Sequence, residues 1–287
     1  MKVHLVDGTF ELFRCFHGAP RATNADGKEV GAVRGLLHTL LSLLKGDDVT
    51  HVAVAFDQLP SPRGSLGDDP GALVRSQAAL AFEAVRGLGI RLWPMYRYQA
   101  DDALATGAFV LQDLAEVDQI VICTTDTDLY QCIAGDRVVV LDRIRKVTTD
   151  EDALREKLGI RPHQFPDYLA LVGASAKGLP GVPGWGPRAT AAVLQRYDGV
   201  EEIPEDPGEW DMAVRGALRL ATELSAHRDE ALLIKALATL HRDLPIDCAL
   251  TKLRWRGVDR ERLEHVIEVT GTRDLYERLQ RWDKYRP

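Results

Sequence analysis

Short apolar runs that alternate with helical patterns constrain the fold of this chain more than any other feature. Strand-like runs lie at residues 3–6, 51–56, 90–93, 119–123 and 137–141. Helical patterns separate them at residues 9–17, 30–44, 72–88 and 100–114. Strands that alternate with helices along a chain usually pair in parallel, with the helices packed on both faces of the sheet. We therefore predict an α/β domain built on a parallel sheet.

The second half of the chain differs, because strand patterns stop near residue 150. Helical patterns continue at residues 150–158, 164–171, 189–197 and 209–224. They predict an α/β domain at residues 1–147, a helical module at 148–245 and a helical tail at 246–287. A chain of 287 residues is long enough for one large core and a smaller appended domain.

Composition excludes several classes of protein. No apolar run approaches the ~20 residues that a membrane helix needs, and the first residues lack the layout of a signal peptide. The cysteines are scattered without metal-ligand spacing, which favours a reducing, cytoplasmic location; they are Cys15, Cys123, Cys132 and Cys248. The net charge of −7 argues mildly against nucleic acid unless basic residues cluster locally.

Acidic residues follow the predicted strands at the ends where α/β proteins place their sites. They are Asp7, Asp57, Asp101, Asp102, Asp126 and Asp128. Carboxylates gathered at one edge repel each other unless they bind cations, and oxygen ligands favour Mg²⁺ or Mn²⁺. Two such ions commonly serve phosphodiester hydrolysis. The alternative is that each Asp is an ordinary helix N-cap.

A glycine-rich segment at residues 173–187 predicts a turn between two helices, within a helix-hairpin-helix at 173–197. Gly181, Gly184 and Gly186 expose backbone N–H groups, and Arg188 opens the following helix. Between residues 173 and 197 the charged residues are Lys177, Arg188 and Arg196, with no acid. This local basic face predicts contact with DNA phosphates. The alternative is an interdomain loop, and in either case we expect Trp185 to pack beneath the turn.

These motifs together resemble a known family over nearly the whole chain. They are Val6-Asp-Gly8, Ala55-Phe-Asp57, Tyr98-Gln-Ala-Asp-Asp102, Cys123-Thr-Thr-Asp-Thr-Asp128 and Gly178-Leu-Pro-Gly-Val-Pro-Gly-Trp-Gly186. The chain is similar to the 5′-nucleases, which comprise bacterial 5′–3′ exonucleases, flap endonucleases and the N-terminal nuclease domain of DNA polymerase I. The resemblance implies a PIN-like α/β nuclease domain with a helix-three-turn-helix module. It also implies a monomer that hydrolyses DNA at 5′ ends, flaps or nicks, with K⁺ at the hairpin.

On the family pattern, one set of residues would hold a first divalent ion and another set a second. The first set is Asp7, Asp57, Gln99 and Asp101, with Asp102 beside them; the second is Asp126, Asp128 and positions 174 and 177. The chain departs from the pattern because Gln99 replaces a Glu, and Ala174 and Lys177 replace two Asp. Arg63 would be a phosphate contact in a shortened arch; the alternative is an exposed loop arginine without that role.

These departures predict a severely weakened second metal position and a moderately weakened first one. Three alternatives follow for the activity. The chain is a structure-specific nuclease that tolerates its altered ligands, or a catalytically inactive protein that binds branched DNA. The third alternative is that the replacements were introduced by design.

Overall fold

The computed structural model describes residues 1–58 and 70–275 and divides into two compact units. The first unit comprises Met1–Thr125 and the segment from Arg242 onward, and the second comprises Asp126–His241. The predicted domain boundaries at 147 and 245 stay a prediction.

The described residues form strands and helices that are numbered here along the chain. The strands are β1 (Lys2–Asp7), β2 (His51–Phe56), β3 (Arg91–Pro94), β4 (Gln119–Cys123), β5 (Val138–Asp142) and β6 (Val147–Thr149). The helices are α1 (Gly8–Gly18), α2 (Gly31–Leu43), α3 (Pro70–Ser76), α4 (Ala78–Gly87), α5 (Ala100–Gln112), α6 (Glu151–Leu158), α7 (Phe165–Val172), α8 (Pro187–Arg196), α9 (Ala217–Ala238), α10 (Leu250–Leu253) and α11 (Arg260–Thr270).

Four parallel strands form the centre of the first unit, in the order β3-β2-β1-β4. The register sets Asp7 opposite Ala55 and Val6 opposite Cys123, so β1, β2 and β4 end side by side. Strand β2 is buried along its whole length, as expected for a sheet covered by helices on both faces. The predicted parallel sheet is confirmed.

Gln77 interrupts the single helix predicted at residues 72–88, which forms α3 and α4 instead. Its side chain is buried, and Oε1 accepts hydrogen bonds from the N–H groups of Ala32 and Val33 at 3.1 and 3.3 Å. These donors open α2, whose N-cap residue Val30 makes no side-chain cap hydrogen bond. The break between α3 and α4 therefore supplies the cap of a distant helix.

Helices dominate the second unit, where α7 packs against α8 and α9. Asp167 on α7 accepts hydrogen bonds from the Val200 N–H at 2.8 Å and forms a 2.9 Å ion pair with Lys235 on α9. Burial raises the pKa of Asp167, and the hydrogen bond from Lys235 partly offsets that rise. The pair ties α7 to α9 inside the unit.

One predicted helix of the second unit needs correction, and one strand was not predicted. The helix predicted at residues 209–224 begins only at Ala217 and continues to Ala238. Residues 206–210 instead form a short turn, because Asp206 accepts from the Gly208 N–H at 2.7 Å and Trp210 Nε1 donates to the Pro204 carbonyl at 2.9 Å. Strand β6, which pairs antiparallel with β5, was not predicted.

No helix within residues 1–58 and 70–275 has the length and apolar character that crossing a membrane requires.

Candidate active site

Asp7 ends β1 and at the same time caps α1. Its Oδ1 accepts from the Phe10 N–H at 2.8 Å, and its Oδ2 accepts from Thr124 Oγ1 at 2.9 Å. Thr124 directly follows β4, the neighbouring strand, and the Asp7 side chain is 5% exposed. Two donors from different elements therefore fix this carboxylate at the end of the sheet.

Asp57 follows β2 and connects that strand to the beginning of α5. Its N–H donates to Thr9 Oγ1 at 2.8 Å, and its Oδ1 accepts from the Ala100 N–H at 2.7 Å. Asp102 accepts in turn from the Gln99 N–H at 3.0 Å. Asp101 lies between these residues in the first turn of α5. We call Asp7, Asp57, Asp101 and Asp102 the carboxylate edge, since hydrogen bonds bring their segments together in the first unit.

Asp126 and Asp128 open the second unit, where Asp126 caps a short 3-10 helix at Thr127–Cys132. The Asp126 side chain accepts from the Asp128 N–H at 3.0 Å. Both residues follow β4 as the sequence predicted. The replaced positions lie in a tight loop, in which Ala174 and Leu179 exchange two backbone hydrogen bonds of 2.9 and 3.1 Å. Lys177 ends a short 3-10 helix in that loop, Ser175–Lys177.

The capping alternative is correct for Asp7 and Asp126, whereas Asp102 lies at N3 of α5 and accepts from the N–H of the N-cap residue Gln99. Capping leaves room for metal binding. An ionised carboxylate offers about four lone-pair positions, and one N–H bond occupies only one of them. Across residues 1–58 and 70–275, no three His, Cys, Asp or Glu side chains are grouped so as to hold a metal ion. Metal binding therefore stays a prediction for the whole proposed set: Asp7, Asp57, Gln99, Asp101, Asp102, Asp126 and Asp128.

The turn at residues 181–186, which we call the hairpin, is held against the end of α7. The Val182 N–H donates to the Leu171 carbonyl at 2.9 Å. A Cβ on Gly181 would lie 2.4 Å from the Val172 carbonyl carbon and oxygen, so only glycine allows this approach of the two backbone segments. The structure thus gives Gly181 a packing role. A direct role for it in DNA binding stays a prediction.

Gly184 is exposed and Gly186 is half-buried. Gly184 has a φ of +84°, which favours glycine, and within the described residues neither N–H donates to an acceptor. A Cβ on Gly186 would meet no atom within 4 Å. Packing within the chain therefore does not require glycine at 186, whereas close approach of an external group would.

Trp185 lies beneath the hairpin, as predicted. It is 5% exposed, and its Nε1 donates to the Leu220 carbonyl on α9 at 3.0 Å. Its ring packs against Trp210, with 6.2 Å between the ring centroids. This hydrogen bond connects the hairpin to the first turn of α9.

Arginines around the hairpin differ in whether an acid neutralises them. Arg188 and Arg219 are exposed and, among the described residues, have no hydrogen-bond or ion-pair partner. The Arg219 guanidinium lies 3.5–3.6 Å from the position that a Gly184 Cβ would take. Arg196, in contrast, forms a 2.6 Å ion pair with Asp211, and the hydrogen bond that it donates to the Asp211 carboxylate raises the pKa of Arg196.

Arg219 was not among the predicted DNA contacts, because the predicted basic segment ended at residue 197. The available signal was a pair of arginines four residues apart, Arg215 and Arg219, directly after an acidic run. The predicted helix at 209–224 concealed it, since a continuous helix would not turn Arg219 back toward the hairpin. Arg63, the predicted phosphate contact, lies outside the described residues.

Comparison with protein families covers most of the chain. Residues 2–159 match the model of the 5′–3′ exonuclease N-terminal resolvase-like domain, and residues 160–261 match the 5′–3′ exonuclease C-terminal SAM fold. The chain therefore belongs to the 5′–3′ exonuclease family. The resemblance and the α/β plus helical fold class predicted from the sequence are both confirmed.

Individual relatives agree with this assignment. DNA polymerase I of Pseudomonas aeruginosa is 33% identical over 270 residues, which cover 87% of this chain and 28% of that polymerase. The chain thus spans less than a third of the length of this relative. The structure of T5 5′-exonuclease with bound zinc has a TM-score of 0.64 at 17% identity, covering 94% of this chain and 100% of that one. Human GEN1 in complex with Holliday junction DNA has a TM-score of 0.62 at 17% identity, covering 94% and 68%. These structural likenesses establish the fold.

Proposed function

We propose that the chain hydrolyses phosphodiester bonds near the 5′ ends of flapped or nicked DNA, with a divalent cation, and that the reaction is slow. The observation that carries this proposal is the hydrogen-bonded link between the three segments of the carboxylate edge. Asp7 ends β1, Asp57 follows β2, and the Ala100 N–H joins Asp57 to the helix that bears Asp101. These carboxylates lie beyond the carboxyl ends of parallel strands, where α/β proteins bind their ligands, within the part of the chain that matches the 5′–3′ exonuclease N-terminal domain.

The donors of the first cation position fit a hard divalent ion. Asp7, Asp57 and Asp101 offer carboxylate oxygens, and Gln99 offers an amide oxygen, which suits Mg²⁺ or Mn²⁺. Such an ion, when bound, activates water and stabilises the leaving oxygen. The residues contribute orientation: Thr9 and Ala100 hold Asp57 from both sides, and Thr124 holds Asp7. A zinc-bound structure of T5 5′-exonuclease supports metal binding by this fold.

The donors of the second position do not fit as well. Asp126 and Asp128 remain, but Ala174 brings no ligand and Lys177 brings a positive charge where the family pattern has carboxylates. We infer that this position holds a second cation weakly. A reaction that depends on two ions would then be slow. If the second cation is not held at all, the alternative function is that of a protein that binds branched DNA without cutting it.

The hairpin supplies the proposed contact with DNA. The N–H groups of Gly184 and Gly186 and the guanidinium groups of Arg188 and Arg219 are all donors suited to phosphate oxygens. Such contacts position a strand without reading its sequence. The DNA complex of human GEN1 supports DNA binding by this fold. A K⁺ ion at the hairpin, a monomeric state and a cytoplasmic location are parts of the same proposal.

Cleavage of a labelled 5′-flap DNA tests the function. We expect slow cleavage in Mg²⁺ or Mn²⁺ and none in EDTA. Asp57→Asn keeps an acceptor for the Ala100 N–H but removes the charge, so cleavage should fall at least about a hundredfold. Asp150→Asn is the matched control, because Asp150 also accepts a backbone N–H, from Ala153 at 2.8 Å, but caps α6 instead. It should cleave within about twofold of the parent.

The outcomes separate the two functions. If the parent binds flap DNA but does not cut it in either metal, the alternative of a non-catalytic DNA-binding protein is correct. If Asp57→Asn and Asp150→Asn cleave equally well, the carboxylate edge is not the catalytic site. If the parent neither binds nor cuts DNA, both functions are wrong.

A further inference from the structure

Two tyrosines stand exposed directly before the carboxylate edge. Tyr96 is 67% exposed and Tyr98 is 42% exposed, in the loop between β3 and α5. Among the described residues, the only other exposed aromatic side chain of Phe, Tyr or Trp type is Phe109. Arg97 lies between the two tyrosines and is also exposed. This exposed Tyr-Arg-Tyr segment has no role in the proposed function above.

The loop that carries these side chains is fixed at both ends to the same strand terminus. The Met95 N–H donates to the Phe56 carbonyl at 2.8 Å, and the Ala100 N–H donates to Asp57 Oδ1 at 2.7 Å. Only residues 96–99 lie between the two anchors. The two tyrosines are therefore presented from a short, pinned loop.

Packing does not explain the exposure of Tyr96. Tyrosine rings stabilise a fold by burying apolar surface, and a ring that is two-thirds exposed contributes little of this. Exposed aromatic rings beside basic groups are the means by which proteins hold unpaired bases, since every base has a face that can stack. Stacking is largely insensitive to sequence, as cleavage directed by DNA structure requires.

We propose that Tyr96, with Tyr98 beside it, binds an unpaired nucleobase next to the phosphate that the carboxylate edge acts on, while Arg97 contacts the adjoining phosphate. This inference rests on the proposed function, because it needs a nucleic-acid strand at Asp57 and Asp101. It assigns single-stranded nucleotides to this side of the site. A fully paired strand offers no free base face there.

Equilibrium binding of two flap DNAs in EDTA, where no cleavage occurs, tests the inference. One DNA has an intact 5′ flap, and in the other the flap nucleotides at the junction are abasic. Tyr96→Ala should bind the intact flap about tenfold more weakly than the parent. Tyr96→Phe keeps the ring and should bind within about twofold of the parent. On the abasic flap, the parent and Tyr96→Ala should bind equally.

Phe109→Ala is the matched control, since Phe109 is 45% exposed and lies about 12 Å along α5 from Asp101 at 1.5 Å per residue. It should not change binding. If Tyr96→Ala binds the intact flap as well as the parent, or loses as much on the abasic flap, the stacking site is wrong while the proposed function stands. If the parent binds neither DNA, the proposed function and this inference are both wrong.

Discussion

The carboxylate edge and the hairpin differ in how their polar groups are satisfied. In the carboxylate edge, the oxygens of Asp7, Asp57 and Asp102 accept hydrogen bonds from backbone N–H groups and a threonine hydroxyl. Around the hairpin, hydrogen-bond donors outnumber the acceptors that the described residues offer them. The Gly184 and Gly186 N–H groups find no acceptor within the described residues, and the first turns of α8 and α9 contain no acid.

This difference shows what each region requires from outside the chain. A group of carboxylates is stabilised by a cation, and a group of unsatisfied donors is stabilised by an anion. Under the proposed function, a divalent cation is the partner of the carboxylate edge and a DNA phosphate is the partner of the hairpin. Ala174 and Lys177 belong to neither region; they stand at the proposed second cation position, in the loop around Ser175–Lys177.

The largest effect on the hairpin side should come from Arg188 and Arg219, which have no acidic partner among the described residues. Arg188→Ala combined with Arg219→Ala should weaken flap-DNA binding on the order of tenfold, and should reduce the slope of log affinity against log salt by about two. Fluorescence anisotropy over a salt series measures both quantities.

Arg196→Ala serves as the control for that pair, because Asp211 already neutralises Arg196. It should leave the salt slope unchanged. If Arg196→Ala reduces the slope of log affinity against log salt as much as the double variant does, the donors of the hairpin do not bind the DNA.

A smaller effect should come from the hydrogen bond that joins the hairpin to α9. Trp185→Phe keeps an aromatic ring but loses the pyrrole part of the indole and its hydrogen bond from Nε1 to the Leu220 carbonyl. The free energy of unfolding should fall by at least about 1 kcal/mol, since a cavity adds to the lost hydrogen bond. Flap binding should also weaken, since Leu220 follows Arg219. Chemical denaturation and anisotropy measure the two effects.

Trp255→Phe is the control for this variant, because it also removes a hydrogen bond from an indole Nε1 to a backbone carbonyl. Trp255 Nε1 donates to the Leu88 carbonyl at 2.7 Å, in the first unit. This variant should lose a similar free energy of unfolding and keep full flap affinity. If the two variants bind flap DNA equally, the attachment of the hairpin to α9 does not position Arg219.

The sequence was sufficient for the features that depend on neighbours along the chain. The apolar runs predicted the parallel strands, and Asp7 and Asp57 were correctly placed at the ends of β1 and β2. The sequence could not show that Gln77 breaks a helix, because its reason is a cap on Ala32 and Val33 about 45 residues away.

The start of α9 was missed for a related reason. Its apolar residues lie around the helix, with Leu220 and Leu224 buried but Leu233 and Leu237 exposed, so the helical period is indistinct. The error concealed Arg219 and its position near Gly184. Cation and ligand sites are formed by groups that meet only in the folded chain. Patterns between sequence neighbours therefore do not predict them fully.

The central claim is that the hairpin side is intact while the second cation position is impaired. The most direct test compares the parent with the variant Ala174→Asp, Lys177→Asp in flap cleavage with Mg²⁺. Restored carboxylates should raise the cleavage rate at least about tenfold, equivalent to about 1.4 kcal/mol of barrier. Binding without metal should weaken, because two anions replace one cation. If the parent already cleaves flaps as fast as the restored variant, the claim is contradicted.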